Sequence, residues 1–292
     1  MAQTAYDRSA EDLGNIVNIG HVNVRIPDQR LSTLFHVTGL GLTRDPFLMT
    51  STNNMWVNVG MSQFHLPTGE PQVLRGVTGL VVPSREELLD RLARVKQELE
   101  GTKFAYRETN DAVETVSPWG NRIACHAPDA ARFGRIVLGM PYVAFDVRPG
   151  TAEAIARFYR EIVGAQAVAE DGNGAGRTAR IAAGDRQQLI YRETDAPEQP
   201  YDNNHIQIYV QDFSGPYRKL QARGLISEES DRHQYRFRDI VDLDTGAALT
   251  TIDHEIRSMT HPMFGRPLVN RNPDQTNRDY RPGHDALPWA MA

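Results

Sequence analysis

The strongest constraint on this chain is a pattern of extended and helical stretches that recurs four times. Residues 21–45 read as strand, helix over about 28–37, Gly39 and strand, and residues 142–170 repeat that order around Gly164. Two extended pieces follow in each copy, MWVNVG and MSQFHLP in the first, GRTARIAA and RQQLIYRE in the second. A further unit completes each half. One opens with VTGLVVPS at Val77 and closes with SPWGNRIACHAP from Ser117; the other opens with HIQIYVQD at His205 and closes with LDTGAALTTIDHE from Leu243. In the former, Ser84 and Glu87 form a capping box ahead of an apolar stripe of Leu88, Leu92, Val95 and Leu99. Its counterpart, about 213–223, carries Pro216 near its start, where a helix tolerates proline. The chain is therefore four related units in two pairs, since such a unit must bury its apolar face against a neighbour.

The opening strands alternate. In NIGHVNVRIPD, residues 18–28, a strand puts His21, Asn23 and Arg25 on one face and Val22, Val24 and Ile26 on the other. HIQIYV sets His205, Gln207 and Tyr209 against Ile206, Ile208 and Val210; YVAFDV sets Tyr142 and Asp146 against Val143, Phe145 and Val147; QFHLP sets Gln63 and His65 against Phe64 and Leu66. If helices cover the apolar faces, the polar faces line something wet, and a curved sheet with a polar concave side is a cup that holds a ligand. The expected fold is α+β, two tandem domains, each a pair of βαβββ units forming curved, cup-like mixed sheets. Its expected parts are an N-terminal arm (1–15), a first domain (16–130), a linker (131–140), a second domain (141–256) and a tail (257–292). The tail is rich in Pro, Asn, Asp and Arg and has no period, so it is expected to wrap the surface or close over a site.

With 292 residues the chain can bury a sizeable core. A net charge of -5 with mixed signs gives no basic footprint, which argues against nucleic acid as a partner. No apolar run approaches the ~20 residues of a membrane span, and the first residues lack the apolar core of a signal peptide. A single cysteine, Cys125, read as a small apolar strand residue facing a helix, excludes an intrachain disulfide and fits a reducing, cytoplasmic setting. Nothing resembles a Ser-His-Asp arrangement, a phosphate-cradling loop or a dinucleotide fingerprint; GNGAG from Gly172 reads as a polar turn.

Paired units of this order, with histidines opening strands, the FYREIVG stretch at Phe158 and a Gly-Asn or Gly-Ala turn before the last strand, resemble the vicinal oxygen chelate superfamily. That group includes glyoxalase I, type I extradiol dioxygenases, fosfomycin-resistance enzymes and bleomycin-binding proteins, and the resemblance covers roughly residues 16–256. It implies a divalent metal held from the first and fourth strands of one unit and the first and last strands of its partner. Carried onto this chain, the first unit offers His21 and His65 and the fourth offers His205; the other two offer Tyr142 and Tyr191, then Val77 and Ala124, which make no metal site. The cup is thus expected between units one and four. That departs from extradiol enzymes, which would need a histidine at Tyr142, and approaches the crossed pairing of glyoxalase I.

The superfamily's glutamate aligns best with Thr250, but the apolar phase slips between Leu249 and Ile252. A bulge there would turn Thr251, Asp253 and Glu255 inward, making Glu255 the preferred carboxylate and Asp253 the reserve. Imidazoles with one carboxylate suit Fe(II), Mn(II) or Zn(II), with Fe(II) favoured. Tyr209, His233 and Tyr142 are the expected acid/base or substrate-contacting groups; His126 and His254, flanking last strands, are expected at the surface. The implied function is a metal-dependent enzyme chelating vicinal oxygens of a small, aromatic substrate, foremost by extradiol-type ring cleavage. The alternatives are a glyoxalase-like isomerase or lyase using proton transfer, and a metal-free binding protein. Homo-oligomerisation is left open.

Overall fold

The computed structural model describes residues 6–48, 51–172, 176–271 and 278. The first unit contains β1 (Ile16–Asn23), helix α1 (Gln29–Thr33), β2 (Thr43–Arg44), β3 (Asn54–Val59) and β4 (Ser62–Pro67). The second contains β5 (Gly76–Val81), α2 (Arg85–Val95), β6 (Ala105–Glu108), β7 (Val113–Val116) and β8 (Arg122–His126). After α3 (Ala130–Phe133) come β9 (Gly139–Val147), α4 (Ala152–Phe158), β10 (Ala167–Asp171), β11 (Arg177–Ala183) and β12 (Gln187–Glu193). The fourth unit is β13 (His205–Val210), α5 (Ser214–Ala222), β14 (Ile226–Asp231), β15 (Gln234–Val241) and β16 (Ala248–Ser258).

Two eight-stranded mixed sheets result. One runs β14-β15-β16-β13-β1-β4-β3-β2 and the other β10-β11-β12-β9-β5-β8-β7-β6. In every unit the first strand lies parallel to the last, and the units join through antiparallel seams, β1 with β13 and β9 with β5. Outer units therefore pair with each other and inner units with each other, so each sheet draws on both tandem halves.

Local chemistry sets the helices. The Ser84 hydroxyl accepts from Glu87 N at the start of α2, and Leu88, Leu92 and Val95 are buried on one stripe. Fully burying one such side chain contributes about 1.5–3 kcal/mol. FYREIVG ends α4 in a π-helical turn, Tyr159–Val163, which Gly164 closes at φ 78°, a left-handed conformation suited to glycine. One apolar core runs through both sheets and the helices on them. Among the described residues, no helix is long and apolar enough to cross a membrane.

Register shifts recur along the first sheet, and those in β1 and β16 bear on the site. Register passes from Ile19 opposite Ile208 to His21 opposite Gln207, which places one extra residue, Gly20, in β1. A Cβ at Gly20 would stand 1.8 Å from Gln207 Oε1, so a larger residue there would displace that side chain. On β16, Ile240 faces Thr250 whereas Val241 faces Ala248, one extra residue at the phase slip of the sequence, and Phe237 faces His254 whereas Asp239 faces Thr251, a second just beyond it. Asp253, Glu255 and Arg257 consequently lie beside His205, Gln207 and Tyr209 across the parallel β13–β16 ladder.

The two histidines expected at the surface are core residues. His254 is 0 % exposed, stacks on Phe237 at 4.3 Å and lies 2.5 Å through Nε2 from the Tyr159 hydroxyl. It sits in phase with Ile252 and Ile256, because β16 runs on to Ser258. His126 is also buried, its Nε2 2.9 Å from the Tyr142 hydroxyl.

The described tail turns back over the first sheet. Asn58 Nδ2 donates to Val269 O at 2.7 Å, the Asn270 side chain bonds both Gly60 N and Gly60 O, and Arg266 pairs with the fully buried Asp45. The rest of the expected tail, 272–277 and 279–292, lies outside the described residues, as do 1–5 of the expected arm and 173–175 of the GNGAG turn.

Candidate metal centre

The seam between β1 and β13 brings the expected histidines together. His21 on β1 lies opposite Gln63 on β4 and Gln207 on β13, and Asn23 lies opposite both His65 and His205. His21 Nε2 and His205 Nε2 are 3.3 Å apart, and one nitrogen from each of His21, His65 and His205 falls within 4.8 Å of the others. Trp56 holds His65 from the side, with rings stacked at 3.8 Å and 12°. The Asn23 amide is 2.7 Å from His65 Nδ1, whereas His65 Nε2 is buried without a partner. The atom placed at Nδ1 is Asn23 Nδ2; turning the amide so that its oxygen accepts Nδ1–H would leave the Nε2 lone pair free for a ligand.

Burial, first of all, keeps these imidazoles neutral. It pushes His65 down to about 3 and His21 and His205 well below the ordinary histidine range, with the charges of Arg257 and Arg236 adding to the effect. Neutral imidazole is the form that binds a metal.

Glu255 stands beside this set. Its Oε2 lies 3.5 Å from His205 Nε2, while Arg236 and Arg257 grip the carboxylate, Arg257 Nη2 at 2.7 Å from Oε1. Asp253 is on the same face, 2.8 Å from Arg236 Nη1, which itself lies 3.4 Å from His205 Nδ1. Burial raises both carboxyls from the usual range, against the lowering pull of the arginines. Arg236 and Arg257 were not foreseen. Arg257 continues the alternation of Asp253 and Glu255 and was readable from it; Arg236 reaches the site only through the β15–β16 register.

A cavity of about 560 Å³ opens from His21, walled by Gln63, Gln207, Tyr209, Arg257 and tail residues including Phe264. Tyr209 packs on Phe264 with ring centres 4.9 Å apart, and both atoms of the buried Gln207 amide are unpartnered. The other expected groups are not brought here. His233 sits in the β14–β15 turn, bonded to Thr260 and Arg232. Tyr142 belongs to the other sheet and bonds His126. Tyr191 is in the core, 2.6 Å from the Tyr159 hydroxyl; the residue in register with His65 is Ile190, opposite Ala144 as His65 is opposite Asn23.

No family model matches the sequence, and a search of curated proteins gave no significant match. Solved structures do match. Glyoxalase I from Zea mays superimposes with a TM-score of 0.58 at 12 % identity, covering 82 % of this chain and 92 % of that one. A candidate dioxygenase from Bacillus subtilis gives 0.55 at 16 % identity over 84 % and 86 %. The cppA protein from Streptococcus pneumoniae gives 0.51 at 12 % identity over 85 % and 100 %. Together with the crossed pairing of βαβββ units, these likenesses show that the chain has the fold of the vicinal oxygen chelate superfamily.

Proposed function

We propose that His21, His65 and His205, with Glu255 as fourth donor, hold a divalent metal ion, and that the chain is a metal-dependent enzyme acting on a small molecule through two neighbouring oxygens. The observation that carries this is the convergence of three neutral imidazoles within 4.8 Å, one with an orphaned buried Nε2. Such a donor set fits a divalent transition metal, Fe(II) foremost and Mn(II) or Zn(II) next. When bound, the ion supplies Lewis-acid stabilisation of a substrate oxyanion.

The chain supplies the rest. Asn23 and Trp56 fix the His65 ring. Arg236 and Arg257 offset the Glu255 charge, and Asp253 in turn pairs with Arg236. Tyr209, kept protonated because burial raises its phenol, can donate a hydrogen bond to a substrate oxygen, and the Gln207 amide can answer a second polar group. The described tail forms one wall of the cavity.

Ring cleavage of an aromatic diol with oxygen is the foremost reaction. It is supported by the aromatic wall of Tyr209 and Phe264 and by the fold likeness to the candidate dioxygenase. Proton transfer of the glyoxalase kind is the second reading, favoured by the crossed pairing of the outer units and by a raised carboxyl, Glu255, next to His205. Oxygen uptake by anaerobically Fe(II)-loaded protein, run across a panel of catechols, separates them. Uptake matched by a new ring-fission absorbance supports cleavage, and its absence across the panel removes that reading. The single thiol, Cys125, buried and pushed up to about 12, fits the cytoplasmic setting proposed for the chain.

A further inference from the structure

The second sheet has a cup of its own, which the metal reading leaves unused. Tyr142 and Ile190 stand in register where the first sheet has His21 and His65. Across the seam Gly79 takes the place of Gln207, and Ala124 on β8 that of Glu255. Val77 stands where His205 does, so the four proposed donors of the first cup correspond to Tyr142, Ile190, Val77 and Ala124, a set that makes no metal site.

Positive charge is what this cup holds instead. Arg132, Arg180, Arg186 and Arg192 line a cavity of about 380 Å³ together with Gln188 and Thr178, and among the described residues no carboxylate lines it. That volume is within the roughly 300–1,000 Å³ of small-molecule sites. The acidic partners are not among the residues lining the cavity and engage only part of each guanidinium. Arg186 Nε donates to Asp185 at 2.6 Å, Arg192 Nη2 to Asp146 at 3.2 Å, Arg180 Nε to Glu170, and Arg132 to Asp111. With five N–H donors apiece, the arginines keep others for a ligand, and Arg192 Nε is buried with no partner at all. These pairs are 28–44 % exposed on the arginine side, so solvent screens each of them and leaves the guanidinium free to turn. The floor adds no acid: His126 Nδ1 faces Asp111 O at 3.1 Å, so its Nε2 accepts the Tyr142 hydroxyl proton. Phe133 supplies an apolar wall.

We infer that this second cup binds a small organic polyanion, a molecule with two or more carboxylate or phosphate groups that take the arginine edges in bidentate fashion. The inference is independent of the metal centre. It is tested by calorimetric titration of the full chain at 0.15 M salt with propane-1,2,3-tricarboxylate and, separately, with fructose 1,6-bisphosphate, which tells carboxylate from phosphate chemistry. At least one is expected to bind with a dissociation constant below about 0.1 mM, an affinity a few contacts can supply. The Arg180→Gln/Arg192→Gln variant should weaken it tenfold or more. Arg186→Gln, which leaves the sheet's cross-strand ion pairs intact, should weaken it as well, whereas His21→Ala should bind as the wild type does. Failure of both probes to bind, equal binding by the arginine variants, or loss of binding in His21→Ala would overturn the inference.

Discussion

His21 and His205 are 184 residues apart in sequence, yet their Nε2 atoms lie 3.3 Å apart across an antiparallel seam. Neither can be shifted without disturbing a sheet built from both ends of the chain. The contact carries no formal charge, since burial lowers both rings well below the ordinary histidine range. In the metal-free chain one ring donates Nε2–H to the other, and a metal ion would replace that shared proton with bonds to both nitrogens.

Asn23 is the hydrogen-bond partner of His65 Nδ1. Replacing it by alanine leaves both ring nitrogens of a buried imidazole without a partner, so metal affinity should fall by about 10–100-fold, the range for loss of a group that orients a ligand. Competition titration against a chromophoric chelator measures this directly. An unchanged affinity would mean that Trp56 stacking alone orients the ring.

Arg236 neutralises Asp253 and Glu255 and also lies against His205. Arg236→Gln should therefore destabilise the metal-free protein by about 1–3 kcal/mol, less than for a fully buried pair because the guanidinium remains partly solvated. The same change removes a repelling cation, so divalent metal should bind more tightly and restore thermal stability as its concentration rises. Melting curves with and without metal should diverge more for the variant than for the wild type.

The tail is fastened through Arg266 to Asp45, which is fully buried and also accepts from Gln63 Nε2 at 2.8 Å. Arg266→Ala leaves that carboxylate with neutral partners only and should cost about 1–3 kcal/mol. Amide exchange should quicken over residues 259–271, while the β13–β16 ladder keeps its protection. Exchange unchanged in the tail would show that the Asn270 bonds to Gly60 suffice to hold it.

The fold was legible because two of its signals are physical necessities. Alternation in NIGHVNVRIPD and HIQIYV fixes which side chains share a face, and a bulge is the only way to reconcile Leu249 with Ile252 on one strand; both features are present, the latter as an extra residue in β16. The pairing of units one and four was legible from where the imidazoles fall. The environment of Glu255 was not. Arg236 comes from a strand whose partner register no local pattern specifies, and it decides whether the carboxylate meets imidazole or guanidinium. The burial of His254 was not legible for a related reason: the sequence pattern ends near Ile256, whereas β16 continues to Ser258 and Tyr159 satisfies the buried ring.

Stability should fall as pH drops below neutrality. His36 and His254 are lowered to about 4 by burial, whereas an unfolded histidine titrates near 6.5, so between those values the unfolded chain takes up protons that the native one refuses. The stabilisation is complete above about 6.5 and is lost towards 4. Asp253 and Glu255, raised by burial, act in the opposite sense, but His21, His65 and His205 add to the larger group. Urea midpoints of the metal-free protein at pH 7 and pH 5 check the sign, and a higher midpoint at pH 5 would contradict it.

The most direct measurement is elemental analysis of protein loaded anaerobically with Fe(II) and freed of excess ion, wild type beside the His21→Ala/His205→Ala variant. The expected result is about one metal ion per wild-type chain and none retained by the variant, both remaining folded by circular dichroism. Equal metal in the two proteins, or none in either, would contradict a metal centre at the β1–β13 seam.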